Sequence, residues 1–320
     1  MSEPTIENKK EIEKMNDKRI GYLGIGQMGA GIAWNLIEKG FDVTVCDIRS
    51  EAMAPFAEKN IKTTSSIKEL VESVDHIYVC VVDDKGLINV VKGPNGILEY
   101  TRPGQVIIIQ TTCMIETAKE IAADAAEKGV GVLDAPVSGN MEDRYNGTLA
   151  VYVGGDERFF EECRPALNAM GSDGEKVVYL GAVGNGSLSK LINNLIGLPV
   201  HDVVKSMMTL ADSYGLPEET VLDILKIGTG WCWSVLTWPY MDVVVNTHRF
   251  GPGMARLGKK DLLDAQAAAL AKGVGLPVTD IAIIGNESVQ CERAALYKRK
   301  VGSLDYSVEQ VTIPPSYKTN

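Results

Sequence analysis

Three glycines between a strand and a helix constrain this chain more than any other feature. A short apolar run, Arg19–Leu23, leads directly into Gly24-Ile-Gly26-Gln-Met-Gly29, and a helical stretch continues over Gly29–Glu38. Each glycine has its own reason. Gly24 permits the tight turn, Gly26 lets the backbone come close to a pyrophosphate, and Gly29 allows close helix–strand packing. A helix starting at Gln27 and Met28 offers free N–H groups and a favourable dipole to phosphates. A second apolar run, Asp42–Asp47, ends in an acid 21 residues beyond Gly26. That is near the spacing at which such an acid meets ribose hydroxyls. The turn therefore predicts a dinucleotide site built from Gly24, Gly26, Gln27, Met28, Gly29 and Asp47. NAD is favoured over NADP, because Asp47 repels a 2′-phosphate and Ile48 stands where an arginine often follows. Arg49, one residue later, argues the other way.

The same pattern continues along the chain. Near-continuous apolar runs recur at His76–Val81, Val106–Gln110, Gly131–Asp134 and Leu149–Val153, with helical stretches such as Ile115–Lys128 between them. Apolar strands alternating with amphipathic helices predict a parallel sheet covered on both faces. The last strand follows its predecessor through a loop, so regularity fails there. Past Gly184-Asn-Gly186 helical periodicity takes over, through Ser187–Tyr214, Glu218–Ile227, Asp261–Lys272 and Thr279–Tyr297. The predicted class is α/β: an N-terminal Rossmann, doubly wound parallel sheet followed by a mostly α-helical C-terminal domain. The boundaries fall at 1–17 for an extension, 18–182 for the nucleotide-binding domain and 183–320 for a helical substrate and dimerisation domain. Pro314–Asn320 reads as a tail.

Composition excludes several classes. A chain of 320 residues is long for one core and fits about two domains. A net charge of −10 disfavours nucleic acid and anionic membranes as partners. An anionic substrate must then be held by local donors. The six cysteines are scattered without a C-x-x-C pair, so no metal site or disulfide framework is expected. Residues 1–17 mix acids and lysines without the apolar core of a secretory signal or the acid-poor character of a transit peptide. The expected location is cytoplasmic.

Further motifs follow in order: Asp134-Ala-Pro-Val-Ser-Gly-Asn140, Gly147-Thr-Leu, Val153-Gly-Gly155, then Gly184-Asn-Gly-Ser-Leu-Ser-Lys190-Leu-Ile-Asn-Asn194, and Lys260-Asp261-Leu. Together with the glycine turn, they resemble the β-hydroxyacid dehydrogenase family, which includes 3-hydroxyisobutyrate and tartronate semialdehyde dehydrogenases. The resemblance spans roughly Arg19 to Leu296. It implies hydride transfer between nicotinamide and a small 3-hydroxy acid, and assembly as a dimer or tetramer. Lys190 and Asn194 are four apart and share a helix face. A partly desolvated lysine beside a carbinol serves as general acid/base, and Asn194 fixes its head or binds a substrate oxygen. A solvated lysine on an amphipathic helix is the plain alternative. Ser138, Gly139 and Asn140 offer a hydroxyl and N–H groups suited to a carboxylate. By resemblance, Val81 and Val82 line the nucleotide, Cys113 takes the place of a threonine beside the nicotinamide ribose, and Lys260 reaches the cofactor near its nicotinamide end.

The sequence also departs from the family pattern. Asn140 replaces a glycine, and Asp143 and Arg144 replace small residues. Arg144 is either a second anion clamp or a solvated loop residue. Cys113 replaces a hydroxyl. Gly253-Met-Ala-Arg fills a stretch that usually carries a phenylalanine. Pro199 removes the N–H that would bond Leu195, so a kink or break is expected near Gly197–Pro199. His201 lies about 16 Å beyond Lys190 by helix rise and is expected to be packed or partner-contacting rather than catalytic. Trp231, Trp233 and Trp238 are either core or a substrate wall. Other readings of the scaffold are an imine reductase, against which Lys190 counts, an oxidative decarboxylase, which needs a larger helical domain, and a nucleotide-binding protein without turnover.

Overall fold

The computed structural model describes residues 18–140, 142–238 and 251–285. The N-terminal extension, the end of the Thr279–Tyr297 stretch and the Pro314–Asn320 tail lie outside the described residues. The chain divides into two compact units, 1–190 and 191–320.

The first unit is a nine-stranded sheet. Its strands are β1 (Ile20–Leu23), β2 (Val43–Cys46), β3 (Lys62–Thr64), β4 (His76–Val79), β5 (Val106–Ile109), β6 (Gly131–Asp134), β7 (Val137–Ser138), β8 (Ala150–Gly155) and β9 (Val177–Tyr179). They run in the order β3-β2-β1-β4-β5-β6-β8-β7, with β9 on β8. The first six strands are parallel, with Ile20 opposite Val43 on one side and His76 on the other. This 3-2-1-4-5-6 order is the doubly wound dinucleotide-binding arrangement, with its switch point between β1 and β4.

Both faces of the central strands are buried, which is why they are apolar without alternation. Side chains still alternate in direction. Tyr22, Tyr78 and Ile108 pack on one face with Ile32, Leu36, Phe160 and Leu167. Ile77, Val79, Ile107 and Ile109 pack on the other with Leu70, Val71, Leu87 and Ile121. The expected loss of regularity after β6 has a clear cause. The chain between β6 and β8 goes into β7 and the short Asp143–Asn146 helix and forms no full crossover helix, and β8 pairs antiparallel to both β6 and β7. Regular winding resumes when the Glu157–Met170 helix carries the chain to β9, parallel to β8.

The second unit is helical in its described residues, with helices over Glu218–Ile227, Trp233–Leu236 and Gly251–Leu270. The helix Asn185–Ser213 enters it from the first unit. That helix corrects half of one expectation: of the kink or break expected near Gly197–Pro199, there is no break at Pro199. Proline removes a single bond, to Leu195, and the bonds of the flanking turns in a helix of 29 residues carry it across. Trp238 is 1% exposed and packs with Val204, Met208, Val221, Leu222 and Val235. Trp231 and Trp233 are exposed. The tryptophans therefore divide into one core residue and two surface residues.

His201 is buried, and burial pushes its pKa down to about 3, helped by the charge of Lys205. In the unfolded chain it titrates near 6.5. Below that pH the unfolded state binds the extra proton, so stability falls as pH drops from about 6.5 towards about 3. Between pH 7 and pH 5 the native chain should lose about 2 kcal/mol more stability than His201→Leu. Urea titrations at the two pH values check this; equal losses refute it.

Candidate active site

The glycine turn lies at the carboxyl ends of β1 and β4, and its three glycines are required for different reasons. Gly24 has φ +97°, and a Cβ there would stand 2.1 Å from the Cys80 carbonyl oxygen. A Cβ on Gly29 would stand 2.0 Å from the carbonyl oxygen of Gly24. A Cβ on Gly26 would meet nothing within 4 Å. The protein itself thus demands Gly24 and Gly29, whereas Gly26 borders open space. Gly26 is also the N-cap of the Gln27–Glu38 helix and has no side-chain cap, so the first-turn N–H groups suit a phosphate. Gln27 is exposed and Met28 half-buried.

Asp47, just past β2, is 8% exposed. One oxygen accepts the Ile25 N–H at 2.8 Å. Arg49 donates its backbone N–H at 2.9 Å and its guanidinium at 3.0 Å to the same carboxylate. Burial raises the Asp47 pKa, but the Arg49 and Ile25 hydrogen bonds outweigh it and hold the group below the usual carboxylate range. The acid remains ionised near neutral pH, with an arginine already on it. Ile48 and Val82 are exposed apolar residues, and Val81 is half-buried. Val81 is anchored by its N–H to the Thr111 hydroxyl at 2.9 Å. Thr111 itself escaped sequence reasoning because its part is to hold a loop 30 residues away. The Cys113 side chain is fully buried, with its sulfur 3.6 Å from the Ser187 hydroxyl. It faces the helix that carries Lys190 rather than open space.

The Ser138–Asn140 turn follows β7. Ser138 is half-buried and hydrogen-bonds with Tyr152 of β8, another residue with no sequence signal. Gly139 is exposed. The Asn140 side chain is used within the loop, accepting the Glu142 and Asp143 N–H groups at 2.8 and 3.0 Å. Arg144 is neither an outward clamp nor a solvated residue. It is 5% exposed, lies against Gly31 of the glycine-turn helix, and stacks over Tyr145 with its guanidinium carbon 5.0 Å from the ring centre.

Lys190 is half-buried in the second turn of the Asn185–Ser213 helix. The first turn is hydrogen-bonded to the end of β6: Asp134 accepts the Gly184 N–H at 2.8 Å and the Ser187 N–H at 2.7 Å. In the second unit Asn194 donates to Asp261 at 2.7 Å. Lys260 pairs with that same Asp261 at 3.1 Å and with Asp264 at 2.8 Å. Burial lowers the Lys260 pKa, but the two carboxylates more than compensate and keep it raised. Asp261 thus joins two residues, Asn194 and Lys260, that lie 66 positions apart in sequence. Among the described residues no group of His, Cys, Asp and Glu is placed to hold a metal ion, and no helix is long and apolar enough to cross a membrane.

A glycine turn at the switch point of a doubly wound sheet, with an ionised acid ending β2, defines a dinucleotide-binding α/β protein. Residues 19–181 match the family model described as the NAD binding domain of 6-phosphogluconate dehydrogenase. Residues 184–292 match that described as NAD-binding of NADP-dependent 3-hydroxyisobutyrate dehydrogenase. The chain is 32% identical over 255 residues to rat mitochondrial 3-hydroxyisobutyrate dehydrogenase, covering 78% of this chain and 75% of the rat protein. It is 35% identical over 212 residues to cytokine-like nuclear factor N-PAC of Xenopus tropicalis, covering 66% of this chain but only 39% of that longer protein. The solved 3-hydroxyisobutyrate dehydrogenase of Salmonella typhimurium superposes with a TM-score of 0.76 at 26% identity, covering 88% of this chain and all of the other. The chain belongs to the 3-hydroxyisobutyrate dehydrogenase-like family, a family of NAD(P)-binding hydroxyacid dehydrogenases.

The glycine geometry separates folding from binding. Gly24→Ala should destabilise the chain by about 3 kcal/mol, through positive φ and collision with backbone. Gly26→Ala, at φ −78° and ψ −166°, should leave the melting temperature unchanged. It should nevertheless weaken NADH binding by about tenfold or more, because the added methyl occupies the phosphate approach. Thermal melts and NADH fluorescence titrations of the two variants check both halves.

Proposed function

We propose that this chain moves a hydride between a nicotinamide cofactor and the hydroxyl-bearing carbon of a small 3-hydroxy acid, with Lys190 as general acid/base. The observation that carries the proposal is the fastening of the Lys190 helix to the end of β6, the strand that leads directly into Ser138 and Gly139. A proton-transfer group and a carboxylate-binding turn thereby spring from one anchor point.

Bound nicotinamide supplies or accepts the hydride. The protein's own residues do the rest. In oxidation Lys190 takes the hydroxyl proton as the carbinol carbon loses hydride, and in reduction it returns a proton to the alkoxide oxygen. The Ser138 hydroxyl and the Gly139 N–H grip the substrate carboxylate. Asn140 shapes the turn and does not grip the acid, since its side-chain oxygen accepts the Glu142 and Asp143 N–H groups and its own N–H donates to Asp143. Asn194, one helical turn past Lys190, is tied to Asp261, and Lys260, whose charge Asp261 and Asp264 balance, is the lysine that the resemblance assigns to the cofactor. Gly24, Gly26, Gln27, Met28 and Gly29 cradle the pyrophosphate, and Val81 and Val82 flank the nucleotide. Cys113 acts through its backbone or through Ser187, because its thiol is enclosed.

NAD is the proposed cofactor. The ionised Asp47 repels a 2′-phosphate, although the model matching residues 184–292 is named for an NADP-dependent enzyme. Arg49, whose side chain is 51% exposed, is the group that permits residual NADP use. We also propose a homo-oligomer. Ile192, Ile196, Val203 and Leu210 are exposed and fall within one face of the Asn185–Ser213 helix. Among the described residues no cysteine is in a disulfide, which favours a reducing compartment, and a cytoplasmic location is proposed. A nucleotide-binding protein without turnover is the second reading, favoured by the similarity to a protein named as a nuclear factor.

A panel of 3-hydroxy acids and their semialdehydes, followed by NADH absorbance, tests the main reading. Lys190→Ala should lower kcat by about 10²- to 10⁴-fold and leave NADH affinity unchanged. Cofactor binding without turnover on any member, and no effect of the substitution, would establish the second reading instead. Arg49→Ala should cut kcat/KM with NADP by about tenfold while NAD use changes by less than about threefold. Equal losses with both cofactors would remove Arg49 from cofactor selection.

A further inference from the structure

We infer that Asp134 is a positioning residue that sets the distance between the substrate's carboxylate grip and its proton-transfer lysine. The inference rests on the hydride-transfer reading above.

Asp134 ends β6 and is completely buried. Its two oxygens divide their work. Oδ1 accepts the Gly184 N–H at 2.8 Å and Oδ2 the Ser187 N–H at 2.7 Å, and the Ser187 hydroxyl bonds the same carboxylate. Both backbone donors belong to the start of the Asn185–Ser213 helix. A helix is ordinarily capped by the residue that precedes it. This one is capped by a carboxylate 50 residues upstream, on a strand of the sheet.

Two glycines make the enclosure. A Cβ on Gly154 of β8 would stand 2.5 Å from the Asp134 Oδ1 atom, and one on Gly186 would stand 2.2 Å from the Asp134 carbonyl oxygen. Strand, helix start and neighbouring strand therefore meet at van der Waals contact around one side chain. Burial raises the Asp134 pKa, and the Ser187 and Gly184 N–H groups oppose that rise without cancelling it. Placing a carboxyl group here is expensive, and stability alone would be served by a local serine or asparagine cap.

The position of Asp134 in the chain explains its use. Lys190 lies three residues past Ser187, which is about 4.5 Å of helix rise. Ser138 lies four residues past Asp134, along a segment fixed by the Ala135 N–H to the Ile109 carbonyl at 2.8 Å and by pairing of Ser138 with Ala150. One carboxylate is thus the common origin of both parts of the site. Being fully enclosed, it cannot touch the substrate and acts only through what it holds.

The test compares a 3-hydroxy acid with its neutral analogue, in which a hydroxymethyl group replaces the carboxylate. The full-length protein is used, and folding is checked by circular dichroism. Asp134→Asn keeps the shape but presents an NH2 group to one of the two backbone donors. On the hydroxy acid kcat should fall about 30- to 100-fold, the scale of an ångström-size misplacement. NADH affinity should stay within twofold. The preference for the acid over the neutral analogue should shrink at least tenfold, because the neutral compound never used the grip. Ser187→Ala should show the same pattern at about three- to tenfold, and it decides the matter if Asp134→Asn does not fold. Equal losses on acid and neutral analogue, or activity within twofold of native in a folded variant, overturn the inference. If Lys190→Ala keeps its turnover, the hydride-transfer reading fails instead, and the two failures are told apart.

Discussion

The structure depends first on the approach of bare backbone to bare backbone at the end of β1. Gly24 sits where any side chain would enter the Cys80 carbonyl, and Gly29 sits where any side chain would enter Gly24 itself. These contacts bring the Gln27–Glu38 helix down onto the adjacent ends of β1 and β4. The helix N-terminus is thereby aimed along the carboxyl edge of the sheet, where a doubly wound fold binds its ligand. Tyr22, stacked on Tyr78 with ring centres 5.8 Å apart, fills the volume beneath. The dinucleotide site is therefore a consequence of how the central strands pack.

Much of this was legible in the sequence, and what was legible had a local cause. β1, β2, β4, β5 and β6 announced themselves as apolar runs because both their faces are buried. The turn announced itself because only glycine meets its steric demands. The residues that escaped notice take their meaning from distant partners. β3 and β9 are short strands with half-exposed positions and no continuous apolar run. Thr111 and Tyr152 look ordinary until the fold brings Val81 and Ser138 to them, and the link that Asp261 makes between Asn194 and Lys260 is visible only in the fold. Pro199 misled in the opposite direction. A strong local rule was offset by the hydrogen bonds on either side of it in a long helix.

Charge follows the same division between local and global. With a net charge of −10, the chain as a whole repels an anionic substrate, so attraction has to be built at short range. In the proposed function it is built from neutral donors, namely the uncapped first turn after Gly26 and the Ser138–Gly139 turn. Charged residues in each unit are instead neutralised within that unit. Arg49 lies on Asp47, and Lys260 lies between Asp261 and Asp264. Pairing of this kind holds long side chains in one geometry at a cost in entropy. That cost is reasonable where position matters more than field strength.

The departures from the family pattern around the substrate turn now have a physical account. Asn140 and Asp143 cap the short Asp143–Asn146 helix from within, since the Asn140 N–H also donates to the Asp143 carboxylate at 2.7 Å. Arg144 lays its stem on Gly31, and Asn35 donates to the Tyr145 carbonyl at 3.2 Å. Both partners belong to the Gln27–Glu38 helix. Asn140 and Asp143 therefore brace the turn from within, and Arg144 packs it against the helix of the glycine turn. A turn fixed on one side to that helix, and on the other to β8 through Ser138 and Ala150, has little freedom to adapt to different acids. On the proposed function, selection among substrates then falls to residues outside this turn. The same rigidity makes the shared Asp134 anchor effective, because a fixed distance is useful only when both of its ends are held.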